Sequence, residues 1–259
     1  MTDPSLDHLL EFATDLAWRA GRMTLARFQT GTAVEWKADA SPVTAADREA
    51  EQFVREHIEK RFPGDAIVGE EYGTVRGDSN RRWIIDPIDG TRSFIHGVPL
   101  YGTLLALEIR GDPVLGVIRL PALDETVAAA TGLGCWWNGR RAHVSKTTSL
   151  ADALILTSDP ATIRSTGRAA AWDRLAAATG TTRTWGDCYG YALVATGRAE
   201  AMIDPILSLW DAAAVTPIVR EAGGAVTDLD GRPRHDSGHL IASNGILADR
   251  LLDLLRETP

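Results

Sequence analysis

Asp86-Pro87-Ile88-Asp89-Gly90-Thr91 is the stretch of this chain best suited to chemistry. An apolar run delivers two carboxylates three residues apart, followed by a glycine that admits close backbone approach. Such ligands suit hard cations. Mg2+ prefers an octahedron of oxygens and keeps several waters, so a few carboxylates and one carbonyl, such as that of Ile88, suffice, with phosphate in the remaining positions. If a helical turn begins after Gly90, the N–H groups of Gly90 and Thr91 form an anion site for that phosphate. Asp-Pro and Asp-Gly are also common turn dipeptides, so this stretch alone leaves a plain turn open. Further candidates are Glu70 and Glu71 after an apolar triplet, Asp211 after Trp210, Asp47 and Lys37. Each has a plainer reading: a solvated acid pair, a first-turn acid favoured by the helix dipole, the acid of a capping box, a surface lysine. Only their joint pattern singles them out.

These residues need elements to hold them. Asp3-Pro4 predicts a capped helix start, and Leu6, Leu9, Leu10, Ala13, Leu16, Ala17, Ala20 and Phe28 recur behind it at helical spacing. Thr44 with Asp47 reads as a capping box, opening a second helix with Ala50, Phe53, Val54, His57 and Ile58 on one face. Ala66-Ile67-Val68 and Trp83-Ile84-Ile85 predict short buried strands that run straight into Glu70-Glu71 and Asp86. A hairpin over 103–120 turns at Gly111-Asp112-Pro113, and Asn138-Gly139 marks another turn. Residues 1–148 therefore predict helix plus antiparallel sheet, the half that carries the metal acids. From Leu154 strand and helix alternate: a strand to Thr157, an Ala-rich helix to Ala178, a strand over 182–185 and a helix through Ala195. A strand over 199–203, a helix over 211–222, a strand over 240–242 and a helix to Leu255 follow. Residues 149–259 thus predict an α/β half that completes the site. No linker rich in Pro, Ser or Gly parts the halves, so they are expected to pack tightly.

Composition removes whole classes of partner. The 259 residues are 44% hydrophobic and 24% charged, ordinary for a globular chain. Twenty-seven Lys and Arg against 35 Asp and Glu give a net charge of -8, which repels nucleic acid and anionic membranes. Any bound phosphate needs a local cation. No apolar run approaches the roughly 18 residues of a membrane helix, and Met1-Thr2-Asp3-Pro4 lacks the regions of a signal peptide. Cys135 and Cys188 stand far apart and outside any C-x-x-C, leaving no material for a disulfide framework or a structural zinc site. A soluble, cytoplasmic protein is expected.

The pattern resembles the inositol monophosphatase family of Mg2+-dependent, lithium-sensitive phosphatases. The matching segments are Lys37-x-Asp39-x-Ser41-Pro42-Val43-Thr44-x-x-Asp47, Gly69-Glu70-Glu71, Trp83 through Thr91, Trp210-Asp211-x-Ala213-Ala214 and Glu221-Ala222-Gly223-Gly224. They occur in family order over most of the chain. The resemblance implies a layered αβαβα sandwich of the sugar phosphatase type, combining an α+β half with an α/β half, and a homodimer. It also implies two to three Mg2+ ions per active site. The first would bind Glu70, Asp86 and the Ile88 carbonyl, the second Asp86, Asp89 and Asp211, and a weaker third Glu70 and water. Glu70 and Thr91, the latter oriented by Asp47, would position the attacking water, with Gly90 and Thr91 at the phosphate. A non-catalytic metal-binding regulator of the same fold should have lost one of these acids or Thr91, and none is missing.

The resemblance implies a small-molecule phosphate monoester as substrate, and its alcohol part is read from departures from the inositol pattern. Arg92-Ser93-Phe94 follows Thr91, Trp185-Gly186-Asp187-Cys188-Tyr189-Gly190-Tyr191 replaces a small neutral run, and Asp204-Pro205 stands where inositol enzymes commonly have Glu. Together these resemble the histidinol-phosphate phosphatase branch, with Asp89, Asp187, Cys188, Asp204 and Asp211 along the substrate. Carboxylates at 187 and 204 suit an ammonium and an imidazole. Equally, Asp187 reads as a helix cap and Asp204 as the close of a strand. Inositol-1-monophosphatase or a broad-specificity phosphatase is the alternative. Cys188 reads as a small buried residue rather than a nucleophile. His235-x-x-x-His239 reads as solvated loop, Gly132-x-Gly134 lacks the rest of a dinucleotide fingerprint, and Trp136-Trp137 reads as hairpin packing or a dimer contact.

Overall fold

The computed structural model describes residues 4–256. Within that span the chain opens with α1 (Leu6–Arg27), a ribbon of β1 (Val34–Trp36) and β2 (Pro42–Thr44), and α2 (Ala45–Arg61). Next come β3 (Ala66–Gly69), β4 (Gly73–Val75), β5 (Arg81–Asp89), the short α3 (Thr91–Ile95), β6 (Gly102–Ile109) and β7 (Asp112–Leu120). β8 (Glu125–Ala130), β9 (Gly134–Trp137) and β10 (Arg140–Arg141) close this part. The remainder runs β11 (Leu154–Leu156), α4 (Pro160–Ser165), α5 (Ala169–Ala178), β12 (Thr181–Arg183), α6 (Asp187–Ala195) and β13 (Ala201–Asp204). It ends with α7 (Leu209–Glu221), β14 (Ala225–Thr227), β15 (Leu240–Ser243) and α8 (Ala248–Leu255).

Two sheets and three helix layers stack as αβαβα. The larger sheet has the order β10-β9-β8-β7-β6-β5-β3-β4, the smaller β12-β11-β13-β15-β14. Along β5, Trp83 and Ile85 point to one face and Ile84 to the other, and all three are buried, so the strand reads as an unbroken apolar run. Trp83 and Ile85 pack with Leu9, Leu16 and Ala20 of α1 and Val54 and Ile58 of α2. Ile84 packs with Leu193 of α6 and Ala213, Ala214 and Ile218 of α7, in a core shared with Leu156 and Met202 of the smaller sheet. That sheet's far face, with Ile155 and Ile203, meets Trp172 and Leu175 of α5 and Leu251 of α8.

Four expectations change. The first helix is capped by Ser5, whose side chain accepts the His8 N–H, and Asp3 lies outside the described residues. The larger sheet is not wholly antiparallel: β3 and β5 run parallel, Ile67 opposite Trp83, because β4 folds back antiparallel along the outer edge of β3 and returns the chain to the end where β3 began. The Ala-rich helix breaks in two around Gly167, which adopts a φ of 83° that only glycine takes without strain. β14 was not expected, since three residues after a helix give no period to read.

Candidate active site

Strand geometry should place Asp86 and Asp89 on opposite faces of β5, because side chains alternate and their separation is odd. The pairing with β6 resolves this: Asp86 faces Leu104 but Asp89 faces Gly102, so Pro87 and Ile88 form a bulge with one extra residue. Pro87 has no N–H to give the ladder and belongs at such a break. The bulge turns both acids to the same side. Asp211 arrives from the third position of α7, where its Oδ2 accepts the Ser208 N–H at 2.8 Å in a capping box. Among the described residues, Asp86, Asp89 and Asp211 each bring one oxygen to within 4.8 Å of the others.

Glu70 sits in the turn after β3, parallel and adjacent to β5. The Lys37 ammonium bridges it at 2.7 Å and Glu71 at 2.6 Å. From α2, Asp47 fills the expected capping box, its Oδ2 accepting the Thr44 N–H at 2.8 Å. Its other oxygen lies 3.3 Å from the Thr91 hydroxyl, which is 2.8 Å from the Ile88 carbonyl oxygen. Gly90, between them, has a φ of 84°, and a side chain there would crowd the Asp187 carboxylate and the Leu100 carbonyl.

So many acids in one buried place resist ionising. Burial raises Asp86 well above the usual carboxylate range, and the charges of Glu70, Asp89 and Asp211 add to it. Asp89 is raised likewise by desolvation, then by Asp187 and Asp211, although the Cys188 N–H partly compensates by donating to it. Desolvation pushes Asp211 up to about 7. Burial works against the Lys37 charge, but its bonds to Glu70 and Glu71 outweigh that and raise it. Asp86 Oδ1 is buried with no hydrogen-bond partner among the described residues. An all-oxygen donor set with one unmatched lone pair is what a hard divalent cation would fit.

A cavity of about 740 Å³ leads from Glu70, Gly90 and Thr91 to Ser158, Asp159, Thr184 and Asp187. Asp187 opens α6 with a φ of 54°, uncommon for a residue other than glycine, while its N–H donates to Ser158 Oγ at 3.0 Å. It is therefore not the N-cap, which is Gly186. Burial and then the Asp204 charge push Asp187 up to about 6, against Ser158 and Arg92. Asp204 is absent from the cavity wall. It is 3% exposed, and its oxygens accept the Tyr191 hydroxyl at 2.8 Å and the Ser158 N–H at 3.1 Å. Cys188 is fully buried, and burial holds its thiol far above neutrality, which leaves it no nucleophilic role. Asp159 was missed. Asp159-Pro160 is a readable helix start, and Asp159 Oδ1 does cap Ala161, but nothing in the sequence joins it to residues 70–91.

The minor leads resolve into structure. His235 Nε2 lies 2.8 Å from Glu108, whereas His239 Nδ1 accepts the Leu229 N–H, so the two share no ligand. The N–H groups of Gly132 and Gly134 both donate to Glu221. Trp137 packs under Arg198 and donates to Glu125, while Trp136 is 40% exposed.

Residues 5–259 match the inositol monophosphatase family model. A histidinol-phosphatase of Chlorobaculum parvum is 44% identical over 245 residues, covering 94% of this chain and 95% of that protein. An inositol-1-monophosphatase of Mesorhizobium japonicum is 36% identical, covering 96% of each. Among solved structures, an IMPase of Thermotoga maritima superposes with a TM-score of 0.88 at 34% identity, covering 96% of this chain and 97% of that one.

Proposed function

Because this chain belongs to the inositol monophosphatase family, and is a phosphoric monoester hydrolase on that ground, we propose that it hydrolyses histidinol phosphate to histidinol and phosphate. The step belongs to histidine biosynthesis, in the cytoplasm, with water as the attacking group. One observation carries the choice of substrate: a single cavity runs from Glu70 and the Gly90–Thr91 turn, which follows Asp89 of the carboxylate cluster, to a second acidic end, Asp159 and Asp187. A neutral polyol has no use for that end, whereas an ammonium and an imidazole do.

Asp86, Asp89 and Asp211, with Glu70 and the Ile88 carbonyl, are the residues that would hold two to three Mg2+ ions. Bound there, Mg2+ supplies the positive charge this acidic chain lacks, lowers the pKa of a coordinated water and neutralises the leaving alkoxide. Glu70 and the Thr91 hydroxyl hold the attacking water, and Asp47 keeps Thr91 turned toward it. The backbone at Gly90 and Thr91 faces the phosphate. Asp187 binds the substrate ammonium, while Asp204 acts beneath it by fixing Tyr191 and Ser158. Li+ competing for the cluster and a homodimer accompany this reading.

A charge-assisted hydrogen bond contributes roughly 1.5–3 kcal/mol, and about 1.4 kcal/mol is a factor of ten. Asp187→Asn is expected to lower kcat/KM for histidinol phosphate roughly ten- to a hundredfold while sparing a small neutral phosphomonoester. Asp204→Asn is expected to lower both alike, together with the melting temperature. The measurement is phosphate release from histidinol phosphate and inositol 1-phosphate side by side. Equal losses on both esters in Asp187→Asn would overturn the choice of substrate and favour the inositol or broad-specificity alternative.

A further inference from the structure

Glu51 and Arg55 stand one turn apart on α2, at 0% and 4% exposure, and neither reaches the cavity. Arg55 Nε donates to Glu51 Oε1 at 2.7 Å, and the far end of its guanidinium donates to the Gly73 carbonyl. Glu51 spends both oxygens on the same turn. Oε2 accepts the Glu71 N–H at 2.7 Å, and Oε1 accepts the Tyr72 N–H at 3.1 Å. One buried ion pair thus grips three backbone groups of the turn between β3 and β4. The fit extends to Gly69, where an added Cβ would collide with the Glu51 carboxylate.

Stability alone is a weak reason for such a pair, since well-packed apolar side chains of the same volume usually do as well or better. Apolar side chains cannot bind peptide groups, however, and the peptide groups bound here adjoin Glu70. The Glu70 N–H, in turn, donates at 3.3 Å to the carbonyl of Ile85, the residue before Asp86, and its carboxylate accepts from the Lys37 ammonium at 2.7 Å. Lys37 clamps the acids of this turn and Glu51 clamps its backbone. We propose that Glu51 and Arg55 are a positioning pair, which fixes the turn so that Glu70 faces Asp86 and thereby sets the Mg2+ affinity of the site.

This rests on Glu70 being a metal ligand. Partners that orient a ligand typically contribute roughly 10- to 100-fold in metal affinity. Mg2+ binding to the full-length, metal-stripped chain, measured by calorimetry, gives the readout. In the double variant Glu51→Leu with Arg55→Met, which removes both charges together, the Mg2+ dissociation constant is expected to rise about tenfold or more, while circular dichroism shows a folded chain. In a Glu70→Gln background the same pair of changes should weaken Mg2+ no further, because the ligand it positions is already gone. An unchanged dissociation constant, or equal weakening with and without Glu70, overturns the proposal. If the double variant fails to fold, Gly69→Ala, which displaces Glu51 without removing a charge, must show the same rise and the same dependence on Glu70, and its absence overturns the proposal equally. Glu70→Gln by itself separates the two readings: if it leaves Mg2+ affinity untouched, the ligand assignment fails, and if it weakens binding while the Glu51 variants do not, only the positioning role fails.

Discussion

Asp86 combines a buried oxygen without a partner among the described residues with three acidic neighbours, so its charge is costly to bury. A carboxyl whose folded pKa is raised binds more protons in the folded chain than in the unfolded one. The stability this provides is complete below the unfolded value of about 3.9 and is lost as pH rises through the folded value, about 7 for Asp211. Metal-stripped protein is therefore expected to melt at a lower temperature at pH 8 than at pH 5, with Mg2+ reversing the loss at pH 8. Scanning calorimetry in chelator checks this, and a melting temperature that climbs with pH would contradict it. Asp86→Asn follows the same charge argument to opposite effects. Activity should fall at least about a hundredfold, the scale of removing one preorganised electrostatic group. The stripped variant should nonetheless melt above stripped wild type at pH 8, since an amide has no charge to bury.

At the scale of elements, α7 must sit close enough to the larger sheet for Asp211 to meet Asp86, and Gly116 of β7 is what allows it. An added Cβ there would collide with the Ala214 carbonyl of α7. Gly116→Ala is expected to cost roughly 1–3 kcal/mol as overpacking, near 2–4 °C of melting temperature per kcal/mol. It should also lower kcat more than a comparable loss elsewhere. Comparison with a substitution of equal thermal cost in the α5 and α8 layer would show this, and equal kcat in the two would refute it. Much of this level was legible: the Thr44 and Asp47 capping box, the strands ending in acids and the Asn138-Gly139 turn, where both residues have positive φ, are local signals. Ser208-x-x-Asp211 is an equally local capping box that the sequence reading passes over, taking Asp211 as a first-turn acid and, through the resemblance, as a metal ligand. The bulge at Pro87 and Ile88 was not legible, because it exists only relative to β6, and neither was the parallel register of β3 on β5. Glu51 escaped notice for a related reason: on a helix face an acid at that spacing reads as solvent-exposed until the turn it binds is known.

Across the whole molecule, α6 and α7 lie between the sheets, and one apolar core includes residues of both. Neither sheet has its own complete core, so unfolding is expected to be a single transition whose calorimetric and van't Hoff enthalpies agree. Two resolved transitions would show independent halves. The order of elements gave the two halves and the family resemblance the five layers, whereas the long-range pairing of cavity residues from 41 to 187 followed from neither, because chain order carries no distances. No helix of the described residues is long and apolar enough to cross a membrane. Asp47 and Asp211 owe their places to the ends of α2 and α7 rather than to any ion. These two carboxylates are thus expected to keep their places when a cation leaves, so that emptying the site removes charge without moving them. The stock of working molecules then follows the free cation concentration of the moment, and a chain stripped by chelator can be recharged without refolding.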